Sequence, residues 1–302
     1  MSSAQQHFPV MADEMEQYLL APESQRPEGP YCDCTAGSGG YAHRILSRVA
    51  RRTLVLIDRD RAALDRCRRR FTGFGDRVRY FHGGFSRIGD AVSGSGPLAG
   101  IVADLGLSLK QINDPGRGFS LRLDGPLDMR FDSTQASRAE DFVNRGSESE
   151  LADLLYRLAD EHHSRRIARA IVRARPIRNT LPLAETVSAA VPRRQRSRIH
   201  PATKTFQALR MAVNDEPGEL AKLLDAAPRL LAPGGRFVVV SFHSGEDRMV
   251  KHSFRSQAGA GVYRLMTRRV VRPAATEVDL NPPSRSARLR AVCRTRQEFT
   301  QR

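Results

Sequence analysis

The sequence contains no tryptophan, few aromatic side chains of any kind (6%) and four cysteines in 302 residues. It also lacks any run of about 18 apolar residues, which excludes a helix able to cross a bilayer. Cys32, Cys34, Cys67 and Cys293 show no metal-ligand spacing, so no metal is expected and all four are read as reduced structural thiols. Cys32 and Cys34 fall on a predicted strand and are expected on its opposite faces. Met1 to His7 lack the basic and apolar regions of a secretory signal, so a cytoplasmic location is expected.

Arginine, by contrast, is abundant. Lysine and arginine number 49 against 33 acidic residues, only four of the basic ones are lysine, and the net charge is +16. Such a surplus points to a polyanionic partner, because neutralised phosphates release condensed counterions. Residues 161–210 hold 12 basic and two acidic side chains, and residues 251–302 hold 12 basic and three acidic. This clustering predicts nucleic-acid surfaces rather than charge spread evenly for solubility. The hydrophobic fraction of 40% and the charged fraction of 27% are those of a globular protein, and the length suits roughly two domains.

The chain is organised around Tyr31-Cys32-Asp33-Cys34-Thr35-Ala36-Gly37-Ser38-Gly39-Gly40-Tyr41. This reads as a strand turning tightly into a helix N-terminus, with glycines clearing space for a ligand against the backbone amides. The apolar run 53–57 closes on Asp58, about 20 residues past the glycines, where a carboxylate can accept hydrogen bonds from a ribose diol. Val78 to His82 predicts a third strand and Ile101 to Gly106 a fourth, again closing on an acid, Asp104. The alternation stops at about residue 110. Helical spacing then dominates over 150–161, 163–174 and 203–213, and the α/β pattern resumes with a helix over 219–231 and strands over 236–242 and 286–294. The fold class expected is α/β, a Rossmann-like sheet over 1–109 and 216–302 with an inserted, mostly helical domain over 110–215. The glycine loop alone fits both nicotinamide cofactors and S-adenosylmethionine. A P-loop is excluded, because no Lys-Ser/Thr follows the glycines.

Longer blocks carry a resemblance. Asp104-Leu105-Gly106-Leu107-Ser108, Gly116-Arg117-Gly118-Phe119-Ser120, Asp124-Gly125-Pro126-Leu127-Asp128-Met129-Arg130, the stretch from His200 to Arg210, Ser241-Phe242-His243-Ser244 and Asn281-Pro282-Pro283-Ser284 occur in this order. With His7-Phe8-Pro9 they resemble the bacterial 16S rRNA cytosine-N4 methyltransferases along almost the whole chain. The resemblance implies a class I methyltransferase that uses S-adenosylmethionine to methylate the exocyclic amine of one cytidine in the small-subunit decoding centre. It places the donor on Gly39, Gly40, Tyr41, Asp58, Phe85, Asp104 and Gln111, with Asp104 and His243 as catalytic candidates. Asp128, Arg130, His200, Lys204 and Arg210 are the substrate candidates, with His200 and Lys204 expected on one helix face. Small-subunit rRNA or the 30S particle is the implied partner, with monomer and homodimer both open. Tyr41 stands where the family usually has histidine, and Gly245 where it has leucine. An RNA-binding paralogue with impaired catalysis is the alternative reading.

Overall fold

A computed structural model describes residues 9–192 and 199–295. His7 and Phe8 of the first block, and Arg193, Arg194, Arg196 and Arg198 of the basic segment, lie outside the described residues. The chain divides into two compact units, Met1–Gly106 with Gly218–Arg302, and Leu107–Pro217.

The first unit opens with α1 (Ala12–Leu19), whose Met15 and Leu19 are buried. Then β1 (Tyr31–Asp33), α2 (Gly40–Arg48), β2 (Leu54–Asp58), α3 (Arg61–Arg70), β3 (Val78–His82), α4 (Ile88–Ala91) and β4 (Leu98–Asp104) alternate. The strands are apolar runs that turn polar only at their carboxyl ends, as expected where both faces of a parallel sheet are covered. Asp60 caps α3 by accepting a hydrogen bond from the Ala62 amide at 3.1 Å.

The second unit holds the short α5 (Leu109–Ile112), α6 (Ala139–Arg145), α7 (Glu148–Ala159), α8 (Ser164–Ala174), α9 (Thr180–Ala190) and α10 (Thr203–Asn214). Its own core gathers Leu151, Leu155, Ile167, Ile171, Leu183 and Leu209 from four of these helices. Asn214 is fully buried. It donates to the carbonyls of Met129 and Arg210 at 2.8 Å each and accepts from the Phe131 amide at 2.8 Å, pinning the loop that carries Asp128 and Arg130 to the end of α10.

The chain returns to the first unit through α11 (Glu216–Leu230), β5 (Leu231–Ser241), α12 (Ser244–Gly259), β6 (Tyr263–Leu265), α13 (Ala275–Leu280) and β7 (Arg288–Arg294). Pro217 sits in the first turn of α11, where its missing amide proton costs nothing. Pro233-Gly234-Gly235, which precede the strand expected over 236–242, lie inside β5, as a register shift between the Leu98–Leu231 and Gly100–Arg236 pairs.

The described strands form one sheet in the order β3-β2-β1-β4-β5-β7-β6. The first five are parallel, and β7 runs antiparallel to both of its neighbours. The order reverses at β1, between β2 and β4, which makes the carboxyl ends of β1 and β4 the crevice where such sheets take ligands. One face packs on α1 and α2, and the other on α11 and α12. Cys32 and Cys34 do not point to opposite faces. Side chains alternate with a period of two, so residues two apart share a face, and their sulfurs lie 4.0 Å apart in one core cluster. All four cysteines are free and buried.

Candidate active site

The carboxyl ends of β1, β2 and β4 each finish on an aspartate: Asp33, Asp58 and Asp104. Register determines how these groups relate. Asp33 pairs with Leu56 and Val102, and Asp58 and Asp104 lie two residues further along their strands. With a period of two, all three carboxylates project from the same face, the one that packs on α2. Neighbouring strands are about 4.8 Å apart and two residues advance about 6.6 Å along a strand, so Asp58 and Asp104 flank Asp33 on either side at about 8 Å between backbones.

Asp33 is 1% exposed. Its Oδ1 accepts from the Thr35 amide at 3.0 Å and from the Thr35 hydroxyl at 3.4 Å, while Oδ2 has no hydrogen-bond partner among the described residues. The Thr35 hydroxyl in turn accepts from the Asp104 amide at 2.7 Å, tying the ends of β1 and β4 together. Asp104 Oδ1 is likewise buried without a partner. Burial pushes the Asp104 carboxyl well above the usual carboxylate range, and the nearby Asp33, Glu246 and Glu277 carboxyls add to the shift. Burial raises Asp33 to about 7, helped by Asp58 and opposed by the Thr35 hydrogen bonds. Asp58 rises to about 6, again chiefly by burial, against amide hydrogen bonds from Asp60 and Gly37. Three clustered carboxylates in a chain of net charge +16 thus ionise reluctantly. A cationic ligand is what would relieve them.

Asp58 also builds the loop. Its Oδ2 accepts from the Gly37 amide and its Oδ1 from the Asp60 amide, both at 2.8 Å. Each carboxylate oxygen has two acceptor sites, so a diol can still be bound beside these amides. Gly39, with φ +77°, ends the loop and caps α2. The first-turn amides of α2, those of Gly40 and Tyr41 among them, have no carbonyl within the helix to bond and favour an anion.

The glycines themselves serve packing. A Cβ on Gly39 would stand 2.8 Å from the Phe71 ring, and one on Gly40 would stand 2.9 Å from Pro9, so it is protein that crowds them rather than a ligand's path. Tyr41 has its ring buried and donates its hydroxyl to the Val10 carbonyl, leaving only its amide for the loop.

Phe85 follows β3, partly buried against the α11 face. Its loop is held by Glu219, which accepts from the Ser86 amide at 3.1 Å and the Ser86 hydroxyl at 2.9 Å. Asp33 and Glu219 escaped the sequence reading. Asp33 met the same criterion as Asp58 and Asp104, an acid closing an apolar strand, whereas nothing in the sequence marks Glu219.

His243 caps α12. Its Nδ1 accepts from the Glu246 amide at 3.4 Å, and its Nε2 lies 3.1 Å from Glu246 Oε1. The buried Glu246 also accepts from the Phe242 amide at 3.1 Å.

The remaining candidates belong to the second unit. Gln111 forms a capping box on α5 with Ser108, its Oε1 accepting from the Ser108 amide at 3.0 Å. Asp128 and Arg130 form a bidentate pair at 2.8 and 2.7 Å, with Arg130 8% exposed. Arg210 is matched by Glu216 at 2.7 and 2.8 Å. Lys204 donates to the Asp160 carbonyl, capping α7, at 2.7 Å. His200 and Lys204 do not share a helix face, because α10 begins at Thr203 and His200 precedes it, exposed. Among the described residues no group of His, Cys, Asp and Glu could hold a metal.

The Rossmann-like sheet with an antiparallel β7, ending in a cluster of buried carboxylates beside the first-turn amides of α2, is that of a methyltransferase using S-adenosylmethionine. The chain matches the MraW methylase family over residues 4–295 and belongs to it. A relative from Solibacter usitatus, named ribosomal RNA small subunit methyltransferase H, is 48% identical over 95% of this chain and 99% of its own. One of the same name from Koribacter versatilis is 46% identical over 95% and 94%. Among solved structures, an rRNA methylase from Streptococcus thermophilus has a TM-score of 0.45 and 10% identity over 94% of each chain.

Proposed function

We propose that this protein transfers a methyl group from S-adenosylmethionine to the exocyclic N4 amine of one cytidine in the decoding centre of small-subunit 16S rRNA. The observation that carries the donor half is the trio of aspartates on one sheet face, two of them with buried, unpartnered oxygens, beside the α2 amides. The names of the relatives carry the choice of small-subunit rRNA, and the sequence blocks from Asp104 to Asn281 carry the choice of cytosine N4.

Bound here, the donor supplies a methyl group already activated by its sulfonium. Asp33 and Asp104 hold the cationic amino-acid end, the Gly39–Tyr41 amides hold its carboxylate, Asp58 holds the ribose diol and Phe85 lies by the purine. A cytosine N4 is a poor nucleophile because its lone pair is delocalised into the ring, so fixed orientation supplies much of the rate. Asp104 accepts a hydrogen bond from the amine. It then takes the proton that the amine loses, and His243, oriented by Glu246, relays it outward. The family resemblance also assigns Gln111, in the second unit, to the donor. There, the paired Asp128 and Arg130 shape the cytidine-binding loop, and His200, Lys204 and the arginines of α8 serve the RNA, whose target base leaves its stack, while Arg210 is spent on Glu216. Mass spectrometry of 16S rRNA from cells lacking the gene tests this. One N4-methylcytidine should be missing and should return with the gene, and an unchanged methylation pattern refutes the assignment.

A further inference from the structure

Away from the strand-end aspartates, the first unit has an open pocket at the far edge of its sheet. Lys251, Phe254 and Arg255 of α12, Leu265, Thr267 and Arg268 at and after β6, and Arg290 of β7 line it. Lys251, Phe254 and Arg255 stand at i, i+3 and i+4, one face of the helix. The floor is apolar and rigid. Phe254 is 2% exposed and packs edge-on against Phe237 and Tyr263, with ring centroids 5.4 and 6.0 Å away. Thr267 is fixed by accepting from the Ala291 amide at 3.0 Å.

The rim is cationic. Among the described residues, Arg290 is the one lining cation with a carboxylate partner, Asp247, at 2.6 and 3.1 Å. That pair fastens α12 to β7 and leaves Lys251, Arg255 and Arg268 uncompensated. Arg269 and Arg272 continue the charge along the segment after β6, both exposed. An arginine whose function is solubility needs no partner and no convergence. Here three elements bring cations together over an apolar floor, where water competes less with a phosphate oxygen.

Direction gives the pocket its relation to the active site. β6 is antiparallel to β7, which is antiparallel to β5, so β6 runs parallel to β5 and β4. The chain leaving β6 through Arg268 therefore emerges at the same end of the sheet as Asp104. Three strand spacings separate β4 from β6, about 14 Å.

We infer that this pocket is a phosphodiester-binding site for the backbone of the substrate RNA flanking the methylated nucleotide. The inference rests on the rRNA reading above. It adds an anchoring surface on the donor-binding unit, separate from the arginines of α8. It also accounts for the basic surplus of residues 251–302, which donor chemistry leaves unused.

The experiment is a salt titration. A Lys251→Gln/Arg255→Gln/Arg268→Gln variant of the full chain and the wild type are titrated with a 16S rRNA transcript by fluorescence anisotropy between 50 and 300 mM KCl. Three lost phosphate contacts should weaken binding at least tenfold at low salt and reduce the slope of log K against log salt by about 2, at about 0.7 per contact. Calorimetric affinity for S-adenosylmethionine should stay within twofold, which also reports a folded first unit. A Lys222→Gln/Arg229→Gln control on α11 should change RNA affinity less than twofold. An unchanged slope in the triple variant, or an equal loss in the control, overturns the pocket assignment alone. Failure of the wild type to bind the transcript overturns the rRNA reading with it.

Discussion

Asp33→Asn isolates what the buried carboxylate costs the fold without its ligand. Asp33 has its carboxyl raised from 3.8 to about 7 in the folded chain. Between these values the folded protein keeps a proton that the unfolded chain has released. Stability therefore falls as pH rises through the window from about 4 to 7 and is flat above it. At about 1.4 kcal/mol per pH unit, the accumulated cost is about 4 kcal/mol at pH 8 and about 2 kcal/mol at pH 5.5. Asparagine keeps an acceptor for the Thr35 amide and hydroxyl and removes the charge, but places an amide where Oδ2 had no partner, at a cost of about 1–3 kcal/mol independent of pH. The variant should thus gain on the wild type by about 2 kcal/mol between pH 5.5 and 8. For a unit of this size that is a relative shift in Tm of about 4–8 °C. Scanning calorimetry without donor at pH 5.5, 7 and 8 reads the difference directly. The sign at any one pH depends on the orphaned amide, so the decisive quantity is the slope. A Tm difference constant across the three pH values would refute the assignment of a buried, proton-retaining carboxylate at Asp33. The same substitution should weaken S-adenosylmethionine binding at least tenfold, since a neutral amide cannot offset the donor's positive charge.

Asp104→Asn retains the backbone amide that bonds Thr35, so the fold should persist while donor affinity in calorimetry drops about 10–100-fold, as for loss of one charge-assisted hydrogen bond, and rRNA methylation ceases. Full activity in that variant would remove Asp104 from the site. Asn214→Ala removes three hydrogen bonds from a fully buried position and should cost the second unit about 3 kcal/mol or more in chemical denaturation, and a change under 1 kcal/mol would contradict the pinning role. Reversing charge at the exposed Arg165, Arg166 and Arg173 of α8 should weaken rRNA binding with donor affinity unchanged. Equal RNA affinity would take α8 out of the docking surface.

The residues alone carried the frame. Apolar runs closing on Asp58 and Asp104, glycines between strand and helix, and the spacing of Leu151, Leu155, Ile167 and Ile171 are local patterns, readable because burial imposes period two or 3.6 on any chain. The ordered blocks from Asp104 to Asn281 carried the family resemblance in the same way. Helix α12 went unread because its residues are largely polar, with Val250 and Phe254 its main buried apolar side chains. Helix α9 opens with a proline that reads as a breaker until it is seen in the first turn. Other properties depend on what lies across space. Only the register among β1, β2 and β4 puts Asp33, Asp58 and Asp104 on one face. Only the fold sets Phe71 and Pro9 against Gly39 and Gly40, matches Arg210 to Glu216, and leaves Lys251, Arg255 and Arg268 unmatched. Composition counts charges, but whether a charge is spent on a neighbour or kept for a ligand depends on contacts between residues far apart in the chain.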